Sequence, residues 1–367
     1  MYYNTISHME RVRKILPELG PKKIKKNVER FWKIYINPPK ERGIFLSPEN
    51  LPILFEKKAI NETEAQPKQV VYDENSNKAY VSCMEGYSLQ IFDIHESSIS
   101  LEKTIEFEDQ CVEVLLDNNL LFVTTTNFDR PPHQLRNKLW ILNPKDGNII
   151  SSIDTGGNWS KLIAARPQHN ELLVSNWHSH NISSVDITNP KNPQVKQILK
   201  WGEAPRGIAF TSDGNTAVIT GFYSGNLGLL KRSQEGIWKS EFTSEKFDSP
   251  HYSGNMRHIL ITEDDKTAIV SNLGRNMIHI WDIEKRKFKN SILVGKSPNS
   301  IYWLDSNQIA VSCRESSFVY IVDLNENKVI GKSQKTGKEP TGLCEIKGGF
   351  LVTCFESNTI ELHKIKK

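Results

Sequence analysis

Ala204-Pro205-Arg206-Gly207-Ile208-Ala209-Phe210-Thr211-Ser212-Asp213-Gly214-Asn215-Thr216-Ala217-Val218-Ile219-Thr220 is the stretch that decides the architecture of this chain. Asp213-Gly214 separates two runs of strand-forming residues, as a tight β-hairpin requires. The second run ends in a hydroxyl residue, and the same ending recurs in Ala79-Tyr80-Val81-Ser82, Leu121-Phe122-Val123-Thr124, Leu172-Leu173-Val174-Ser175, Ala268-Ile269-Val270-Ser271, Ile309-Ala310-Val311-Ser312 and Phe350-Leu351-Val352-Thr353. Measured at the residue before Ser or Thr, successive copies lie 42, 51, 45, 51, 41 and 41 positions apart. That is the period of a four-stranded propeller blade, and seven copies predict a seven-bladed, all-β propeller.

A third strand follows most hairpins and ends near an Asp, as in Leu89-Gln90-Ile91-Phe92-Asp93, Ile278-His279-Ile280-Trp281-Asp282 and Phe318-Val319-Tyr320-Ile321-Val322-Asp323. The last copy ends with Thr359-Ile360-Glu361-Leu362-His363, one strand short of a complete blade. An unpaired sheet edge is a liability that folds avoid. The apolar run Ile53–Ile60 is therefore expected to close the ring as its outermost strand beside Thr359–His363. The expected organisation is a β-propeller over residues 51–367 and a basic, partly helical N-terminal arm over residues 1–50.

The formal net charge of +4 conceals an asymmetry: residues 8–42 carry eleven Lys or Arg against four Glu, which leaves the propeller mildly acidic. Val12, Ile15, Leu16 and Leu19 share one helical face, and Ile24, Val28, Phe31 and Tyr35 share another, with Gly20-Pro21 between them. Two amphipathic helices are expected, docking on the acidic ring, on a protein partner or on an anionic membrane surface. Nucleic acid is not an expected partner, because the ring shows no basic stripe interleaved with stacking aromatics. No run of about 20 apolar residues is present to span a bilayer. The start, Met1-Tyr2-Tyr3-Asn4, lacks the basic-then-apolar layout of a secretory signal, so the expected location is the cytoplasm, with membrane-peripheral attachment open through the arm.

The repeats resemble those of YVTN-repeat, YncE-like seven-bladed propellers, most closely over Gly202–Thr220, over Gly295-Lys296-Ser297-Pro298-Asn299-Ser300-Ile301 with Val319–Val329, and over Gly337-Lys338-Glu339-Pro340-Thr341-Gly342-Leu343. A WD-repeat pattern is weaker, since only Trp281-Asp282 supplies the dipeptide. The resemblance implies the fold and leaves activity open, because such propellers include scaffolds, sugar-lactone hydrolases, quinone-enzyme subunits and tetrapyrrole binders. Many are exported, which this N-terminus does not suggest.

Five cysteines, at 83, 111, 313, 344 and 354, cannot all pair within one chain, and none forms a Cys-x-x-Cys pair. Cys83, Cys313 and Cys354 share one repeat position, either as small residues beside the channel wall or as a thiol cluster.

In a propeller the loop entering the innermost strand and the loop leaving the second strand emerge on one face around the channel mouth. The register then places Lys68, Trp159, Lys161, Arg206, Arg257 and His258 from the entering loops, and Trp177, His178, Tyr223, Arg314 and Glu356 from the second-strand loops, around one funnel. Cations mixed with aromatic and imidazole groups suit an anionic ligand or an acidic partner. His178 and His180 would point the same way in an extended segment and could share a metal, but no third ligand follows from spacing. Glu85, Asn127, Asn176, Asn272 and Glu356 are of the type that binds calcium, and equally of the type that satisfies turns. Two insertions, at 126–137 with Phe128, Asp129, Arg130 and His133, and at 233–255 with Trp238, Phe242, Phe247, His251 and Tyr252, offer aromatic recognition loops or local packing.

No nucleophile elbow, phosphate loop, zinc helix or nucleotide fingerprint occurs. The expected function is a non-catalytic scaffold that binds a protein partner or small anionic ligand at its funnel, with no metal or catalytic residue assigned and no cofactor specified. The competing expectation is a lactonase-like hydrolase or cofactor-binding propeller using the same funnel, with Arg206, Arg257, His258 and Glu356 in its mouth.

Overall fold

The computed structural model describes residues 44–127, 137–202, 204–244 and 255–366. The expected helical arm falls within residues 1–43 and lies outside them, as do Phe128, Asp129, Arg130, His133, Phe247, His251 and Tyr252. Among the described residues the fold is all-β, with 28 strands and one 3₁₀ turn at Arg314–Ser316.

Four-stranded antiparallel sheets span residues 67–106, 110–154, 160–200, 205–243 and 256–293. A sixth sheet has eight strands, in which 298–333 and 340–365 are joined through the strand Ile53–Glu62. The first strands of the five four-stranded sheets and of the two halves of the eight-stranded sheet touch in a closed circuit. Pro67–Asp73 meets Gln110–Asp117, then Ser160–Ala165, Pro205–Phe210, Met256–Ile261, Pro298–Trp303 and Pro340–Ile346, which returns to Pro67–Asp73. The architecture is propeller-like, with apolar clusters between neighbouring sheets: Phe92 and Ile94 pack with Leu351 and Leu362, and Tyr80 and Leu89 with Leu121 and Val123. Middle strands are covered on both faces, which is why runs such as Leu172-Leu173-Val174 are continuously apolar rather than alternating.

Ile53–Glu62 runs antiparallel to Thr359–Ile365 from Phe55↔Ile365 to Glu62↔Thr359. It also pairs in parallel with Lys328–Ser333 through Ile53↔Lys332 and Phe55↔Ser333, a contact the repeat pattern does not suggest. Under this strand, buried Glu361 accepts from Lys57 Nζ at 2.9 Å and from the Gly337 N–H at 2.9 Å, with His363 Nε2 also 2.9 Å away.

In five of the seven units the Ser or Thr near the end of the second strand stitches its repeat to the next, whereas Thr353 only accepts, from the Gly342 N–H, and Thr124 Oγ1 has no partner among the described residues. Thr220 Oγ1 accepts from the Gly207 N–H at 2.7 Å in its own sheet and donates to the Arg257 carbonyl at 3.2 Å in the next. Ser82, Ser175, Ser271 and Ser312 donate likewise to the carbonyls of Val112, Arg206, Asn299 and Thr341. A hydroxyl suits these five positions because it accepts and donates at once. Gly207 fits the same junction because a Cβ there would lie 2.3 Å from the Arg257 carbonyl oxygen.

Two expectations are corrected. Trp238 and Phe242 are not on an exposed insertion: Trp238–Thr243 is the fourth strand of its sheet, Trp238 is buried against Phe210, and Phe242 stacks on Trp281. The preceding strand, Leu227–Arg232, reads Leu-Gly-Leu-Leu-Lys-Arg and lacks the terminal Asp that marks most third strands. The segment 177–180 is a turn rather than an extended run, with His180 at φ +57°.

Candidate functional site at the channel mouth

Where the first strands begin, their pairing with the second strands slips. Register shifts fall between Pro67 and Gln69, Cys111 and Glu113, Ser160 and Ile163, Pro205 and Ile208, Met256 and Ile259, Pro298 and Ile301, and Pro340 and Leu343. Such irregularities re-aim side chains and free backbone groups from the ladder. Here the freed groups include those the Ser and Thr stitches hold, so the backbone under Arg206, Arg257, Asn299 and Thr341 is clamped from the neighbouring repeat. Arg206 and Arg257 accordingly lie on strands, not in exposed loops.

These irregular strand starts surround a recess lined by Lys68, Gln69, Glu113, Arg206, Arg257, His258, Asn299, Ser300 and Thr341. It leaves about 10 Å³ for the centre of a water-sized sphere, room for roughly one water or one ligand oxygen. Arg206 and Glu113 face each other at 3.8 Å, both nearly buried. Nη1 of Arg206 is buried and hydrogen-bonds to nothing among the described residues, and the same holds for Asn299 Oδ1. Lys68 Nζ reaches the Val112 carbonyl at 3.4 Å.

Burial sets the protonation of this cluster. It pushes the Lys68 ammonium well below the usual lysine range, helped by the positive charges of Lys161, Arg206 and Arg257 and opposed by Glu113. Burial also raises Glu113, against the pull of Arg206, Lys68 and Lys161. His258 is driven down to about 4 by burial and by Arg206. It is thus neutral at pH 7. The Ile301 carbonyl, 3.1 Å from Nδ1, can only accept, so Nδ1 carries the proton and Nε2 presents a lone pair.

Beside the cations runs a rail of aromatic rings. Trp159 and Trp177 stack with centroids 5.2 Å apart and 9° between planes. Tyr223 lies 4.9 Å from Trp177, and Phe222 contacts both edge-on. Lys161 Nζ is 5.8 Å from the Trp159 ring and 5.7 Å from that of Trp177, and the Arg257 guanidinium is 5.8 Å from Phe222. The four rings are half-buried, and none belongs to the apolar clusters between the sheets.

Of the residues selected from sequence, Lys68, Arg206, Arg257 and His258 line the recess, and Lys161, Trp159, Trp177 and Tyr223 adjoin it. His178 is exposed at the end of the rail, 5.2 Å from Trp159. Arg314 is not in the recess: it pairs with Glu339 and lies over Phe355. Glu356 is exposed, with its N–H on the Lys338 carbonyl. Glu113 was missed, although a carboxylate inside the apolar run Cys111-Val112-Glu113-Val114-Leu115 is the signal that could have found it.

The histidine pair does not converge on a metal, since His180 Nδ1 accepts from the Ala204 N–H. Asn127, Asn176 and Asn272 bond locally, to Asp109, to Asn181 and Ser183, and to His279. No group of three or more His, Cys, Asp or Glu able to hold a metal ion occurs among the described residues. All five cysteines are buried free thiols. No helix among the described residues is long and apolar enough to cross a membrane.

No family profile matches the chain. Its sequence is similar to Antigen Lp49 of Leptospira interrogans, with 25% identity over 315 residues covering 77% of this chain and 63% of the relative. The chain thus spans less than two thirds of that protein's length. Its fold is similar to the crystal structure of a protein of unknown function from Desulfotomaculum acetoxidans, with a TM-score of 0.63 at 14% identity, covering 78% of this chain and 89% of the other. At that identity the likeness is one of fold alone: both are similar chain traces carrying largely different side chains.

Proposed function

We propose that the chain is a seven-bladed, YVTN-like propeller that binds, without catalysis, the acidic group of a protein partner or small anionic ligand at its channel mouth. The blade count takes the eight-stranded sheet as two blades joined by Ile53–Glu62. The observation that carries the binding reading is the concentration of Lys68, Lys161, Arg206 and Arg257 around one carboxylate, Glu113, with a buried guanidinium nitrogen of Arg206 lacking a hydrogen bond. Like charges held together under low dielectric repel, and an arriving anion relieves that repulsion. The basic segment 8–42 is a second contact in this proposal, docking electrostatically on an acidic surface.

The test is ligand-linked stability. A carboxylate bound only by the folded ring raises its melting temperature with concentration. Sodium acetate, compared with sodium fluoride at equal ionic strength, should raise the melting temperature of the wild-type chain and leave that of Arg206→Ala/Arg257→Ala unmoved. Equal shifts in both proteins would refute the reading.

A further inference from the structure

Resting on the anion-binding reading, we infer that the mouth is a two-part receptor for a monocarboxylate carried on a flat ring: the carboxylate enters the recess at Arg206 and Lys68, and the ring lies along the rail of Trp159, Trp177, Phe222 and Tyr223.

Three observations select this chemistry. The recess has space for about one oxygen beyond the existing side chains, which admits one end of a planar carboxylate. Glu113, 3.8 Å from Arg206, already occupies one side of the cationic cluster, so a dianion would meet a carboxylate where a monoanion meets the remaining donors. The rail joins the recess through cations that serve both parts, with Lys161 beside Trp159 and Trp177 and Arg257 beside Phe222. A ring in contact with the rail therefore holds its acid within reach of those charges.

Half-buried aromatic rings outside the core offer rigid contact area with few rotamers to freeze. Grouping four of them at one edge of a cationic mouth gives a ligand a second point of attachment. The division of labour is specific: the recess reads the charge and the rail reads the ring.

Binding of phenylacetate, acetate, phenylacetamide and phenyl phosphate to the full chain, followed by calorimetry and tryptophan fluorescence, tests the assignment. Phenylacetate should bind at least tenfold tighter than acetate, with phenylacetamide and phenyl phosphate both weaker than phenylacetate. Trp177→Ala should bring phenylacetate to within about threefold of acetate, Trp177→Phe should restore the preference, and Arg206→Ala/Arg257→Ala should remove binding of both acids. Melting curves confirm that each variant is folded, and Tyr223→Ala replaces Trp177→Ala should the latter unfold. Acetyl-Gly-Gly-Phe with a free carboxylate separates the sources: tighter binding than phenylacetate assigns the ring acid to a chain terminus of a partner, and weaker binding to a free small acid. Equal affinity for acetate and phenylacetate overturns the two-part receptor while leaving the anion site standing. Preference for phenyl phosphate overturns the monocarboxylate, and absence of binding by every acid overturns both readings.

Discussion

Replacing Thr220 with Val removes one hydroxyl while keeping the branched shape. In the structure that hydroxyl is fully buried, accepts from the Gly207 N–H at 2.7 Å and donates to the Arg257 carbonyl at 3.2 Å. Both backbone groups lie where the strand register slips, so the ladder offers neither an immediate substitute. Leaving a buried polar group unsatisfied costs about 1–3 kcal/mol. Two such groups, less a fraction of a kcal/mol from the more apolar side chain, give a loss of about 1.5–5.5 kcal/mol, a large part of a typical domain's stability of about 5–15 kcal/mol. Urea unfolding followed by tryptophan fluorescence measures it, with Thr243→Val on an exposed strand end as the control expected within about 0.5 kcal/mol of wild type. The same substitution loosens the backbone under Arg206 and Arg257, so acetate affinity should fall even in native buffer. A loss below about 1 kcal/mol, with m-value unchanged, would refute the stitch as a source of stability.

The remaining predictions concern charge, closure and thiols. His258 has its pKa depressed to about 4, so the unfolded chain takes up a proton near pH 6.5 that the folded one refuses until about pH 4. Its contribution to stability is full above pH 6.5 and is lost as the pH falls toward 4, and His258→Gln should flatten the pH profile of the urea midpoint across that window. Glu361→Gln leaves Lys57 with a neutral partner in a part-buried contact and should cost about 1.5–3 kcal/mol, read by calorimetry; a change under 1 kcal/mol would exclude the cluster from closure. Burial raises the thiols of Cys83 and Cys354 to about 12, so neither should react with a disulfide reagent faster than the chain unfolds, and prompt modification of the native protein would contradict their placement.

How much of this was legible in the sequence follows from what each feature depends on. The hairpin at Asp213-Gly214, the apolar runs and their terminal hydroxyls are local properties, and they carried the all-β, propeller-like architecture. Trp238 was misassigned because an aromatic residue after a long gap reads as a loop, whereas in the fold its indole N–H donates to Glu171 at 2.8 Å and the ring closes the outer edge of its sheet. Lys68, Arg206, Arg257 and His258 could be placed on one face from their repeat register alone. Arg314 has the register of a funnel residue, yet its guanidinium turns to Glu339, a pairing between two successive repeats and invisible in either alone.

What the sequence by itself determined is therefore the repeating unit: where strands begin, where they turn, and which residue of each unit carries a hydroxyl. The tertiary structure decided the rest. Lys57 and Glu361, 304 positions apart, meet only because the ring brings its two ends together. Glu113 becomes a partner of Arg206, and the pKa of His258 falls to about 4, only once several strand starts crowd one recess and bury its charged groups. Strand pattern is written in neighbours along the chain, whereas desolvation and charge crowding depend on groups that many residues separate, and those two effects give the mouth its chemistry.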